Sequence, residues 1–204
     1  MTRADIIAAV KVKLEELTPF SEGLVVLSSS TDVKPIQSYI DKTLNEASDE
    51  VRMLLPLHML PADVISGTVT VTNGVGVLPL ASDYLRLYAI KAPEWAREVN
   101  RPISVENPEY LLQSNPHTRG KSQKPVVAIN RTTTGRILEL YTVATAELTK
   151  QLYVKQVVAE TNPDPLVPYI VLMCAIKVCD IFGEKENSDA LTKDLTQMIK
   201  LQAL

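Results

Sequence analysis

The sequence predicts an α+β fold: a helical bundle formed by the N- and C-terminal helices, with a small antiparallel β sandwich or barrel inserted in the middle. Three observations point there. Apolar residues recur every three or four positions through most of the first 55 residues, as on one face of a helix. Short β-branched and aromatic runs separated by turn residues fill 68–158. An apolar run over 166–183 then returns to helical length. The divisions are 1–66 for the N-terminal helical part, 67–160 for the inserted β subdomain and 161–204 for the C-terminal helical part.

Ile6, Ile7, Val10, Leu14 and Leu17 predict an amphipathic helix over 3–17, ended by Pro19 and Gly23. An apolar patch and Ser28-Ser-Ser-Thr31 read as a loop leading to Asp32 as N-cap, with Pro35 in the first turn. Ile36, Ile40, Leu44, Ala47, Val51, Leu54 and Leu55 then keep one face apolar until Pro56 stops the helix. Thr68 to Leu78 reads as strand, turn, strand, because Asn73-Gly74 is the strongest short hairpin signal. Leu78–Ile103 follows as strand, with Tyr84, Leu87 and Ile90; alternation breaks at Leu87–Tyr88, as at a bulge or under two-sided burial. Pro93 and Pro102 mark edges or crossings. Asn107-Pro108 opens a short helical turn through Leu112, and 115–121 is loop chemistry. Further strands are expected at 125–130, 136–142 and 148–158, making four to six in all. After Pro163-Asp-Pro165, the run 166–183 is apolar nearly all round, which predicts a helix at the centre of a bundle, stopped by Gly183. Ser188 is the expected N-cap of a last helix whose apolar face is Ala190, Leu191, Leu195, Met198 and Ile199.

Composition is ordinary for a globular chain, with 46% apolar and 22% charged residues and a net charge of −3. The charge is uneven: residues 1–83 carry net −5, 84–150 net +4 and 151–204 net −2. The middle segment therefore meets a different neighbour from the ends, unless the asymmetry is chance. Cys174 and Cys179 lie five residues apart in the apolar run, so on a helix they point about 140° apart and suit buried inert thiols in a reducing compartment. The N-terminus lacks the apolar core of a signal peptide, and Lys177 and Asp180 interrupt the longest apolar run. The reading is a soluble, cytosolic product with no membrane partner.

No catalytic, cofactor-binding or metal-binding set is predicted. Gly74 and Gly76 fall inside a hairpin rather than before a helix. His58 and His117 have no indicated carboxylate partner, and Glu15-Glu16 and Asp49-Glu50 fall on helix surfaces. The candidate interaction surface is the basic loop with Arg119, Lys121 and Lys124, and around it Arg97, Arg101 and Arg131. It reads either as a solvated, mobile loop or as a contact for an acidic partner or nucleic-acid phosphates. It lacks interleaved aromatics, which argues against sequence-specific binding. Tyr84, Tyr88 and Trp95 read as core packing, with a subunit interface as the alternative.

Leu78-Pro-Leu-Ala-Ser-Asp-Tyr-Leu-Arg-Leu, Trp95 with Arg97 and Pro102-Ile103, the stretch Tyr110–Pro125 leading to Val126-Val-Ala-Ile, and Arg136-Ile-Leu-Glu-Leu-Tyr resemble a known pattern. It is that of the head–tail adaptor (connector, ring or head-completion) proteins of tailed bacteriophages, of the short-tailed or crAss-like type. The chain departs from it by the two residues between Pro79 and Ser82, and by Thr142 where proline is usual. The resemblance implies a non-enzymatic structural virion protein, made in the host cytoplasm and carried at the head–tail junction. It implies a homo-oligomeric ring of about twelve copies under the portal protein, prolonging the DNA channel for genome ejection. Its partners would be the portal, a tail or second ring protein, and passing DNA by non-specific contact. It also implies a portal-binding arm within 193–204, with Met198, Ile199, Leu201 and Leu204; a last helix packed on its own bundle is the other reading of that segment. Alternative functions are another ring-forming tail component (terminator or hub), or a small nucleic-acid-binding or enzymatic module.

Overall fold

The computed structural model describes residues 1–15, 36–133 and 135–202. It is mixed α+β and divides into two compact units: a helical unit of 1–60 with 157–204, and a β unit of 61–156. The predicted N-cap Asp32, Pro35, the stops at Pro19 and Gly23, and Leu204 lie outside the described residues.

In the helical unit, α1 (Arg3–Glu15) buries Ile6, Ile7, Val10 and Leu14, the face that the three-four spacing defines. The next helix, α2 (Ile36–Leu54), buries Ile40, Leu44, Ala47 and Val51, and Leu55 just beyond it is fully buried. Leu54 is 54% exposed. The expectation that it joins the apolar face is corrected: Leu54 sits about 100° around the helix from Leu55, and the core takes only one of them. Near the C-terminus, α4 (Val167–Phe182) packs against α1, α2 and α5 (Lys185–Gln202) and buries ten of its residues. The helical stretch Asp164–Phe182, which contains α4, is long and apolar enough to cross a membrane, yet 67% of its most apolar 18 residues are buried within the protein, as in a core helix. Lys177 is accommodated because its Nζ lies 3.2 Å from Glu46 and 2.6 Å from Glu50. Burial opposes the charge, but the two carboxylates outweigh it and hold the ammonium above its usual range.

Gly183 ends α4 in the left-handed region at φ 76°, as predicted. Ser188 does not cap α5. The helix already begins at Lys185, and Ser188 Oγ donates to Asp180 Oδ1 at 2.6 Å, bracing the α4–α5 corner. A serine three residues inside the helix serves the neighbouring helix end, a partner that local spacing does not reveal. Ala190, expected on the apolar face, is exposed.

Arg52 is a buried cation of this unit, at 2% exposure. Its Nε donates to Asn162 Oδ1 at 2.8 Å, and Asn162 Nδ2 donates to Ser48 Oγ at 2.8 Å and Ala159 O at 3.0 Å. Arg3 ties α1 to Asp41 of α2 at 3.1 Å and to Glu160 at 3.3 Å.

Both cysteines are free and buried. Burial pushes the Cys174 thiol up to about 11 and the Cys179 thiol up to about 12. Near neutral pH an aromatic disulfide reagent should therefore modify neither thiol in folded protein, and both after unfolding. Because the folded state keeps these protons longer than the unfolded chain, their contribution to stability is intact below the ordinary thiol value of 9.0 and falls as pH rises above it. Rapid labelling of native protein would contradict this.

The β unit contains β1 (Asp63–Val64), β2 (Thr70–Thr72), β3 (Val75–Pro79), β4 (Tyr84–Lys91), β5 (Ile103–Ser104), α3 (Pro108–Leu112), β6 (Val127–Thr132), β7 (Gly135–Tyr141) and β8 (Lys150–Lys155). They form two sheets, β1-β8-β4 and β2-β3-β7-β6-β5. Side chains from both sheets, among them Leu78, Tyr84, Leu87, Ile90, Leu138, Leu140 and Tyr153, fill one core. The eight strands exceed the four to six expected, because β1 and β5 are two-residue strands too short to leave a pattern. The unit also departs from a purely antiparallel arrangement, since β5 pairs parallel with β6. It runs from Pro61 to Gln156, starting before the expected 67 because β1 pairs with β8, and ending before the expected 160 because the chain leaves the sheet after Lys155.

Asn73 and Gly74, at φ 52° and 75°, form the two-residue turn joining β2 to β3, the primed geometry that suits strand twist. In β4 the register shifts between Tyr84 and Arg86 and again between Leu87 and Ala89. These shifts let the neighbours Ala89 and Ile90 both be buried and explain why alternation breaks at Leu87–Tyr88.

Candidate functional site

The basic loop is anchored by hydrogen bonds on several sides. Asn107 caps α3, its side chain accepting from Glu109 N at 2.9 Å. From the end of that helix, Gln113, 4% exposed, accepts from Gly120 N at 2.8 Å through Oε1 and donates to Glu109 O at 2.9 Å through Nε2. Lys121 and Lys124 exchange both backbone hydrogen bonds, and Ala96 N donates to Ser122 O at 2.9 Å. Arg119 Nη1 donates to Asn73 O at 3.0 Å, reaching the tip of the β2–β3 hairpin. The backbone of 117–124 is thus hydrogen-bonded both within the loop and to other parts of the unit.

Thr142, which stands where the family resemblance expects proline, supplies another anchor. Its φ is 62°, a value proline cannot adopt and one rarely found for a β-branched residue. Its hydroxyl donates to Gly120 O, and its carbonyl accepts from Trp95 Nε1 at 3.0 Å. Trp95 is 2% exposed and sits in the core, so the core reading of Trp95 and Tyr84 holds, while Tyr88 is half-buried. A chain of contacts runs from that tryptophan through Thr142 to the basic loop. Gly120 completes the fit: a Cβ there would lie 2.8 Å from Val126 N. Gly120→Ala should cost about 1–3 kcal/mol and make the Lys121–Ser122 bond several-fold more sensitive to trypsin. Unchanged nicking would show that the close approach is unimportant.

Two adjoining clefts flank this loop. One, of about 310 Å³, is lined by Arg97, Arg101 and Lys124, together with Glu98, Glu109 and the starts of β5 and β6. The other, of about 300 Å³, is lined by Arg119, Lys121 and Lys124 with Gln113, Thr118 and Leu112. Lys124, Glu109 and Val126 belong to both. Glu98 is engaged by Lys150 at 2.7 Å. Arg97, Arg101, Lys121 and Lys124 make no ion pair among the described residues. Burial, and after it the positive charge of Arg101, pulls Arg86 below the usual arginine range. Like charges are crowded here, which favours an anionic visitor.

Arg131 does not line either cleft. It lies near the end of the β6–β7 hairpin, opposite Arg136. Arg136 donates to Tyr84 O at 2.6 Å and lies over the Tyr84 ring. On β7, Glu139 accepts from Asn130 Nδ2 at 2.9 Å, Tyr110 OH at 3.3 Å and Tyr141 OH at 2.6 Å. This cluster fastens α3 to β6 and β7. Burial first, and the Glu139 carboxylate second, raise both tyrosine phenols, so they remain protonated donors.

Met198 and Ile199 are half-buried on α5, and Leu201 is 65% exposed near its end. The helix runs unbroken from Lys185 to Gln202. His58 and His117 are exposed, and neither imidazole makes a hydrogen bond or ion pair among the described residues. No group of three His, Cys, Asp or Glu side chains gathers as a metal site among the described residues. Gln113 and Thr142, which hold the basic loop, were missed by sequence reasoning. Only the departure from proline at 142 marked either of them. Compared with known families and with curated proteins, the chain matches no family model and no curated sequence.

Proposed function

We propose that this chain is a head–tail adaptor of a tailed bacteriophage: a structural virion protein without enzymatic activity. It assembles as a ring of about twelve copies below the portal, extends the DNA channel and gives the tail its docking surface. The observation that carries this reading is where the resembling segments lie. Leu78, Tyr84, Leu87, Trp95, Leu138 and Leu140, scattered over 63 positions, are all members of one buried core. They belong to an inserted β unit flanked in sequence by the two parts of a helical unit. That organisation suits a subunit that uses one unit for stable folding and presents loops of the other to its neighbours.

Negative-stain microscopy of purified protein, with pulldown on a portal ring, tests the reading. Rings or portal capture are the expected results, and disrupting the gene should give tailless heads that leak DNA. Protein that stays monomeric and does not bind portal would sink it.

A further inference from the structure

We propose that the basic groove formed by the two clefts is the docking site for the α4–α5 corner of a second copy of this chain, joined head to tail. The inference rests on the ring-forming reading above and names the interface within it.

The groove asks for a particular occupant. It presents Arg97, Arg101, Lys121 and Lys124 without ion-pair partners among the described residues. Beside these cations runs an aliphatic wall: Leu112 and Val126 line it, and Leu112 and its neighbour Leu111 are 51% and 75% exposed. A bare phosphodiester backbone would leave that wall wet, and no aromatic side chain lines either cleft to stack a base. The matching ligand carries carboxylates next to an aliphatic side chain.

The helical unit has such a feature. Ile181, in the last turn of α4, is 50% exposed. Glu186 and Asp189 follow in the first turns of α5, exposed, three positions apart and so on one face. Neither has an ion pair among the described residues. Between 178 and 192 there are four acidic side chains and a single basic one. The corner is braced by its own hydrogen bonds, Glu184 N donating to Cys179 O at 2.9 Å and Ser188 Oγ to Asp180 Oδ1 at 2.6 Å, which lowers the ordering cost of presenting it. The same asymmetry extends to the whole units: the β unit has eleven basic and eight acidic side chains, net +3, and the helical unit ten and sixteen, net −6. Two different patches that complement each other across copies form a heterologous contact, the kind that closes a ring. Opposite charges steer its encounter and fix its register.

Charge exchange tests the assignment. Sedimentation of the full chain should show self-association that weakens with added salt. Lys121→Glu with Lys124→Glu, or Glu186→Lys with Asp189→Lys, should each weaken it about tenfold or more. All four changes in one chain should recover most of it, and so should mixing the two reversed variants, because each then meets a complementary surface. Circular dichroism confirms that the variants fold, and the mixing arm stands even if the fourfold variant does not. Association unchanged by either reversal, or lost without recovery on mixing, would overturn the inference. If rings and portal capture also persist in the reversed variants, the adaptor reading stands and only this interface fails. If self-association survives the Lys121 and Lys124 reversal while capture of a DNA duplex is lost, the groove serves nucleic acid and the inference is overturned.

Discussion

Arg52→Ala should destabilise the helical unit by about 3–5 kcal/mol, the largest expected loss in that part of the molecule. The side chain is 2% exposed and its Nε is 2.8 Å from Asn162 Oδ1. Removing it strips Asn162 of a charge-assisted hydrogen bond, a loss of about 1.5–3 kcal/mol, and leaves a cavity that adds to it. The damage does not stop there, because Asn162 also holds Ser48 on α2 and the Ala159 carbonyl of the turn leading toward α4. Arg52→Met should recover part of the packing and little of the hydrogen bonding. Urea unfolding followed by helical circular dichroism reads both variants. A loss below about 1 kcal/mol for the alanine variant would mean that the network is replaced by water at little cost.

Trp95→Ala should have a comparable effect on the β unit, about 3–5 kcal/mol. Trp95 is 2% exposed, packs in the shared core of the two sheets and donates to Thr142 O at 3.0 Å. Its loss also removes the partner of a residue held at φ 62°, so the strain at Thr142 is no longer offset by that bond. Trp95→Phe keeps most of the buried area and isolates the hydrogen bond, with an expected loss of about 1–2 kcal/mol. Since Trp95 is the only tryptophan, its fluorescence in the wild-type protein reports the β unit alone. Arg52→Ala should therefore move the helical transition more than the tryptophan transition. Identical shifts of both signals would show that the two units unfold as one.

The two variants also mark how unevenly the molecule was legible. The helices and the Asn73-Gly74 hairpin were readable because their signals are local: a repeat of three and four residues, a capping glycine, a turn dipeptide with two positive φ values. The bulges of β4 left a trace as broken alternation at Leu87–Tyr88. The strands β1 and β5 left none, because two residues cannot establish a period of two. Ser188 misled, since a serine before an apolar run looks like an N-cap whether its hydroxyl meets its own helix or the end of the previous one. The same limit applied at the candidate site. Arg97, Arg101, Arg119, Lys121 and Lys124 could be picked out as a charge-rich set, but Arg131 could not be separated from them by sequence alone. Gln113 and Thr142 carry no charge, so nothing in composition pointed to them as the supports of the loop.

The amino-acid sequence by itself determined the order of helical and β segments, the apolar faces that each must bury, and the net positive charge of the middle of the chain. These follow from periodicity and side-chain chemistry, which act over a few residues. The tertiary structure decided which distant segments share a core, that Trp95, Thr142 and Gln113 hold the basic loop, and which arginines and lysines open onto one groove. Those outcomes depend on pairings such as Trp95 with Thr142 and Arg119 with Asn73, separated by 47 and 46 positions. Contacts of that range are selected by the packing of the whole β unit, not by any stretch of sequence read on its own.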